Sequence, residues 1–175
     1  PFTYLGFPVE LSASHLGVNK KVPRVGLVDS NLKPLIIGGS QNKAQVIASV
    51  VSLNTPVCAK EALDLNKLAI KNPNVNFVVV SKDLPFLLAD YAKKNKIKNI
   101  TFASSFRNNA FGEAYGTLIQ NSLLKGLDSR AVFVVNTQGD LVYQQRVSEI
   151  ATPPNYKTLA LAINSIKASD IDEAS

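Results

Sequence analysis

The stretch AQVIASVVSLNTPVCAKEALDLN, Ala44 to Asn66, decides the fold. Its first eight residues, Ala44 to Val51, are almost continuously apolar and partly β-branched, the pattern of a strand covered on both faces. Thr55 and Pro56 then open a helix. A threonine at the N-cap can accept a backbone N–H, and a proline at the first helical position gives up a donor that would be unpaired anyway. Cys58, Ala62, Leu65 and Ala69 recur at helical spacing, and the pattern closes near Asn72 and Pro73. A buried strand running into an amphipathic helix is half of a βαβ unit.

The same rhythm continues outward. VNFVVVS, Val75 to Ser81, reads as the next buried strand, Pro85 to Asn95 as a second helix, and NITFAS, Asn99 to Ser104, as a third strand. Further on, RAVFVVNTQGDLVYQQRV holds two β-rich runs joined by a turn at Gly139, which gives the sheet an antiparallel part. A last helix is expected from Tyr156 to Ile166, followed by a flexible acidic tail over about residues 168–175. Towards the N-terminus, FTYLGFPVELSAS alternates around Gly6 and Pro8 as a short hairpin, and VPRVGLVD and PLIIGG add extended pieces around a turn at Ser30 and Asn31. No repeat or linker divides residues 1–175. The order predicts one α/β domain of thioredoxin-like fold, a central mixed sheet flanked by helices with an N-terminal β-hairpin extension.

Composition narrows the partners. Hydrophobic residues make up 46% and charged residues 18% of the chain, as in an ordinary globular protein, and no apolar run approaches the roughly 20 residues that span a bilayer. The net charge of +6 raises the question of nucleic acid, with Lys93, Lys94, Lys96 and Lys98 in KKNKIK as the densest basic patch. No aromatic residue is interleaved with these lysines, as a base-stacking surface requires, so they read as the solvated end of a helix, where cations complement the dipole. No basic segment followed by an apolar stretch stands at the start of the sequence, which opens at Pro1 without a methionine and so leaves removal of a preceding piece open; a cytoplasmic location is expected. His15 is the sole histidine and Cys58 the sole cysteine, a pair without metal-ligand spacing.

Cys58 admits two readings. In the first turn of a helix, unpaired N–H groups and the positive end of the dipole favour the reactive thiolate. On the apolar face with Ala62, Leu65 and Ala69 it is equally a small buried hydrophobe.

Five segments in order resemble one family: SLNTPVCAKEALDLN around Cys58, SKDLPF at 81–86, SFRNNAFGEAYG at 105–116, LKGLDSRAVFVV at 124–135 and VSEIATPPNY at 147–156. Together they resemble the bacterial thiol peroxidases of the atypical two-cysteine peroxiredoxin group. The resemblance implies that Cys58 is the peroxidatic cysteine, whose thiolate attacks a hydroperoxide and becomes sulfenic acid. It implies that the Thr55 hydroxyl hydrogen-bonds peroxide and thiolate, and that Arg130 stabilises the thiolate and the charge leaving along the O–O bond. No metal, flavin or haem is implied. Read without the family, Thr55 is a plain helix cap and Arg130 a salt-bridge partner placed before an apolar strand.

The chain departs from the family at two places. The resolving cysteine expected after DLPF is matched by Ala92, so no disulfide can form within the chain; with a native alanine the sulfenic acid must be reduced by an external thiol, a small one or a thioredoxin, whereas an alanine put in place of a cysteine would hold the helix in its reduced arrangement. Val51 stands where the family usually has a proline, which frees φ and predicts a looser or more strand-like loop before Thr55; Asn54 replaces an acidic residue. The family also implies a homodimer, to which SFRNNAFGEAYG would contribute Phe106, Phe111 and Tyr115; read without the family, those aromatics close the domain's own core. The expected activity is reduction of hydrogen peroxide or alkyl hydroperoxides. The alternative is a peroxide sensor forming mixed disulfides at Cys58 without turnover, and a weaker one is a relative in which Cys58 is inert.

Overall fold

The computed structural model describes residues 1–174, with side chains described to Ile166. In chain order the strands and helices are β1 (Phe2–Tyr4), β2 (Phe7–Val9), β3 (Val25–Asp29), β4 (Pro34–Ile37), β5 (Ala44–Ser49), α1 (Pro56–Lys71), β6 (Val75–Ser81), α2 (Pro85–Lys94), β7 (Thr101–Ser104), α3 (Ala110–Tyr115), β8 (Ala131–Val135), β9 (Leu141–Arg146) and α4 (Tyr156–Ala174). β1 and β2 pair as a separate antiparallel hairpin, and the other seven strands form one sheet in the order β4-β3-β7-β6-β5-β8-β9. β5, β6 and β7 run parallel at its centre, while β3, β4, β8 and β9 extend it with antiparallel pairings. This is the mixed thioredoxin-like sheet that the order of elements predicts.

Alternate residues of the central strands feed two cores, one on each face. Val46, Ala48, Phe77 and Val79 pack with Ala62, Leu65 and Ala69 of α1, Leu88 of α2 and Leu159 and Ile163 of α4. On the other face Ile47, Val78, Val80 and Phe133 pack against Val25 and Leu27 of β3 and Phe111 and Tyr115 of α3. All six residues of β5 are buried, as a strand covered on both faces requires.

Several expectations are corrected. β5 stops at Ser49 rather than Val51, and residues 50–55 form a turn, so Val51 does not make the loop strand-like. α3 has no counterpart in the sequence reading, because its six residues are too short to show a period. Its aromatics close the domain's own core: Phe111 and Tyr115 stack with ring centroids 4.8 Å apart, Tyr115 meets Phe133 edge-on, and the Tyr115 hydroxyl donates to Pro23 O at 3.1 Å. Of the three aromatics assigned to an interface, Phe106 alone is exposed. α4 is helical to Ala174, beyond the end expected near Ile166. Ser175 and the side chains after Ile166, on which the flexible tail was expected, lie outside the described residues. The four lysines of KKNKIK are exposed at and just after the end of α2, and Lys94 pairs with Asp90 at 3.1 Å.

Candidate active site

The site forms where the C-terminal end of β5 meets the N-terminus of α1 and the start of β8. Antiparallel pairing places Ser49 opposite Ala131, and the Ser49 hydroxyl donates to Ser129 O at 2.7 Å. Arg130 is thereby carried to the loop that leads into α1. This register is what closes the long sequence gap between Arg130 and Cys58.

Pro56 occupies the first turn of α1 and Thr55 is its N-cap, with extended backbone at φ −122° and ψ 147°. The threonine caps through its backbone alone. Its carbonyl accepts the Ala59 amide at 2.9 Å, but its side chain makes no capping bond. The Thr55 hydroxyl instead donates to Ser52 O at 2.7 Å, which corrects the side-chain cap expected from the sequence. With that proton engaged, Thr55 Oγ1 offers lone pairs rather than a donor.

Cys58 follows in the first turn with no exposed surface. Ala62, Leu65 and Ala69 are buried on the same face, as the helical spacing predicts. Both readings of the cysteine are therefore true of its position: it is packed in the core and it lies at a helix N-terminus. What separates it from an inert core residue is Arg130. This arginine is 2% exposed, and Cys58 lies close enough to its guanidinium to help hold the arginine in its charged form.

Arg130 is fixed from three sides. Nε donates to Ile150 O at 2.9 Å, Nη1 donates to Glu61 Oε1 at 3.0 Å, and its carbonyl accepts the Val147 amide at 2.9 Å. Burial acts to lower its pKa, but the neighbouring Glu61 and Cys58 outweigh that and hold it above the ordinary value. The guanidinium stays charged.

Glu61 is the residue that sequence reasoning missed. Its side chain is completely buried, Oε1 accepts from Arg130, and Oε2 has no hydrogen-bond partner within the described protein. Burial raises its pKa to about 7 against the opposing pull of Arg130. A signal was present: Glu61 falls between Cys58 and Ala62, Leu65 on the apolar face, and a carboxylate there demands a buried cation. Tyr156 of α4 joins this group. Its hydroxyl pKa is raised, first by burial and then by Glu61 and Asp64, and with Pro56, Val57, Lys60, Glu61, Asp64 and Pro153 it lines a hollow of about 300 Å³ beside the first turn.

Ala92 lies on α2, packed against the same core, and lines a separate hollow with Lys93, Lys96, Ile97 and Lys98. The preceding residue makes the link between the helices: the Tyr91 hydroxyl donates to Ala59 O, one residue after Cys58. Cys58, Thr55 and Arg130 are thus brought to one place, while Ala92 supplies a methyl group where a second thiol is absent.

The arrangement holds a thiol at a helix N-terminus beside a fixed, buried cation, with a hydroxyl acceptor three residues away in sequence. Such a set is placed to balance negative charge that spreads from sulfur onto an attacked atom. Comparison with known proteins gives the same direction. The thiol peroxidase of Aquifex aeolicus is 38% identical over 162 residues, covering 93% of this chain and 94% of that protein. The thiol peroxidase of Campylobacter jejuni is 39% identical over 156 residues, covering 89% and 88% respectively. The crystal structure of a peroxiredoxin-like protein from Aquifex aeolicus superposes with a TM-score of 0.91 at 36% identity, over 94% of this chain and 96% of its own. The sequence pattern of the Redoxin family matches residues 17–160, and the chain belongs to this family, on its thiol peroxidase branch.

Proposed function

We propose that Cys58 is the nucleophile of the thiol-dependent peroxide reduction that characterises the chain's family, with Arg130 and Thr55 as its partners. The observation that carries this assignment is the Arg130 guanidinium held buried beside the sulfur. In the first step the Cys58 thiolate attacks the terminal oxygen of a hydroperoxide. An S–O bond forms, the O–O bond breaks, and the departing oxygen takes a proton to leave as water or alcohol. Arg130 balances the charge that moves from sulfur to the leaving oxygen, and Thr55 Oγ1 accepts a hydrogen bond from the peroxide O–H.

The sulfenic acid at Cys58 finds no second thiol in the chain. An external thiol therefore attacks it, releasing water and forming a mixed disulfide, and a second thiol displaces the Cys58 thiolate. Small thiols and a thioredoxin are the reductants the reading includes. A lone thiolate recycled by thiols fits a reducing compartment, and we place the chain in the cytoplasm; among the described residues no helix is long and apolar enough to cross a membrane. A homodimer completes the reading. Leu84, Phe86 and Phe106 supply exposed apolar surface on neighbouring turns, tied together by the Ser104 hydroxyl, which donates to Asp83 O and accepts the Phe106 amide.

Peroxide consumption is measured with dithiothreitol and, separately, with a thioredoxin system. Continued turnover with either is expected. One equivalent consumed and no more would replace the peroxidase by the sensor, a reading favoured by the missing second thiol and by Val51; no consumption would overturn both.

A further inference from the structure

The loop from Val50 to Thr55 carries the Thr55 hydroxyl, yet Val51 gives it no fixed φ. Its shape is imposed from outside by one carboxylate. Asp83, in the turn between β6 and α2, accepts the Ser52 hydroxyl on Oδ1 at 2.7 Å, and the Leu53 amide and Ser81 hydroxyl on Oδ2, each at 2.8 Å. Asp83 is itself anchored to the sheet: its amide donates to Ser81 Oγ at 3.2 Å and its carbonyl accepts the Ser104 hydroxyl of β7.

Ser52 passes the constraint on. Its carbonyl accepts both the Thr55 hydroxyl at 2.7 Å and the Thr55 amide at 3.2 Å, and its Oγ accepts the Asn54 amide at 3.1 Å. The hydroxyl that meets the peroxide is therefore oriented through a relay, Asp83 to Ser52 to Thr55. Each link has a single direction of donation from Thr55 back to Ser52 and from Ser52 to Asp83. An ionised carboxylate can only accept, so it fixes the direction of the Ser52 hydroxyl bond and steadies the carbonyl that takes the Thr55 proton.

We propose that Asp83 is a positioning residue of the peroxide step, acting through Ser52 to hold Thr55 Oγ1 as an acceptor for the terminal O–H of the hydroperoxide. This rests on the assignment of Cys58 and Thr55 above. The effect belongs to peroxide and not to every electrophile. Iodoacetamide carries no O–H for Thr55 to accept, so its reaction with the Cys58 thiolate has no use for the relay.

The test is single-turnover oxidation of reduced protein by hydrogen peroxide, followed by loss of free thiol, alongside alkylation by iodoacetamide. Asp83→Ala is expected to slow oxidation about 10- to 100-fold, the scale of one lost transition-state hydrogen bond, and alkylation by less than about threefold. In a Thr55→Val background the same substitution is expected to add less than about threefold, because residues acting as one unit are not additive. Asp83→Asn keeps an acceptor for the Leu53 amide and partly restores oxidation. Ser52→Ala, which removes the hydroxyl link and the Oγ acceptor of the Asn54 amide but leaves the Ser52 carbonyl in place, gives the same selective loss should Asp83→Ala fail to fold.

Equal slowing of oxidation and alkylation, penalties that multiply in the double variant, or unchanged oxidation in both Asp83→Ala and Ser52→Ala would overturn the proposal. Wild-type protein that does not react with peroxide at all would instead overturn the assignment of Cys58.

Discussion

Arg130 Nη1 and Glu61 Oε1 form an ion pair 3.0 Å apart in which neither side chain is more than 3% exposed. The pair joins the residue that leads into β8 to α1, three residues along the helix from Cys58. Its carboxylate competes with the Cys58 sulfur for the same guanidinium, and the balance between them depends on whether Glu61 carries a proton. A neutral Glu61 leaves the cation to the thiolate.

That competition predicts a pH dependence of stability. Burial raises the folded-state pKa of Glu61 from 4.5 to about 7, so between those values the folded protein binds more protons than the unfolded chain. Stability then falls as pH rises through that window. Asp128, whose pKa is also raised by burial, contributes with the same sign. In Glu61→Gln the decline is expected to be shallower, as read by urea unfolding at pH 5 and pH 7.5. Identical slopes in both proteins would show that Glu61 titrates like a solvent-exposed acid.

Truncating the cation has a larger consequence. Arg130→Met strands the Glu61 carboxylate in the core and is expected to destabilise the fold by about 3–5 kcal/mol, the cost of breaking a buried pair from one side. The double variant Arg130→Met, Glu61→Leu should recover most of that stability while oxidising Cys58 no faster. Thermal or denaturant unfolding reads the first effect and peroxide kinetics the second.

At the site itself, Cys58→Ser is expected to abolish peroxide consumption. Thr55→Val, which removes the acceptor that orients the peroxide O–H, should raise the barrier by roughly 2–4 kcal/mol, the range for loss of one transition-state hydrogen bond. Steady-state consumption with dithiothreitol measures both, and undiminished activity in the serine variant would refute the mechanism.

Excess peroxide without any thiol is expected to carry Cys58 to the sulfinic acid, seen as a mass gain of two oxygen atoms. A non-reducing gel should show no faster-migrating, internally crosslinked monomer, because the chain has one cysteine. Recovery of the unmodified thiol by dithiothreitol after prolonged peroxide would count against this outcome.

If Leu84, Phe86 and Phe106 form a dimer contact, Phe86→Glu places a charge within it. Sedimentation should then report a monomer at concentrations where the wild type is a dimer. A wild-type protein that is monomeric throughout would remove the dimer from the reading.

Much of the architecture was legible because it is written in local periodicity. The unbroken apolar run of β5, the Thr55-Pro56 start of α1 and the Gly139 turn each identify an element without reference to the rest of the chain. α3 escaped because Ala110 to Tyr115 spans fewer than two turns, and of the two readings open for Phe111 and Tyr115, interface or core, the structure takes the core one, with the rings stacked inside. Cys58 and Thr55 stand out locally as the first turn and cap of a helix, but Arg130 and its pairing with Cys58 came from a resemblance, since pairing across more than seventy residues is fixed only by the register of β5 on β8. Glu61 and Asp83 went unread for a related reason. A carboxylate's task depends on which donor reaches it, and for both the donors come from other elements.

The closed packing around Cys58 also bears on its encounters with other molecules. With no sulfur surface open to solvent and the first turn of α1 fastened to α2 by the Tyr91 hydroxyl, contact requires the turn and its preceding loop to breathe. A hydroperoxide needs only a narrow excursion; a folded protein bearing a thiol needs a wide one. On the proposed mechanism, the width of that opening would act as a size filter, setting repair of the oxidised sulfur against its meeting with another peroxide.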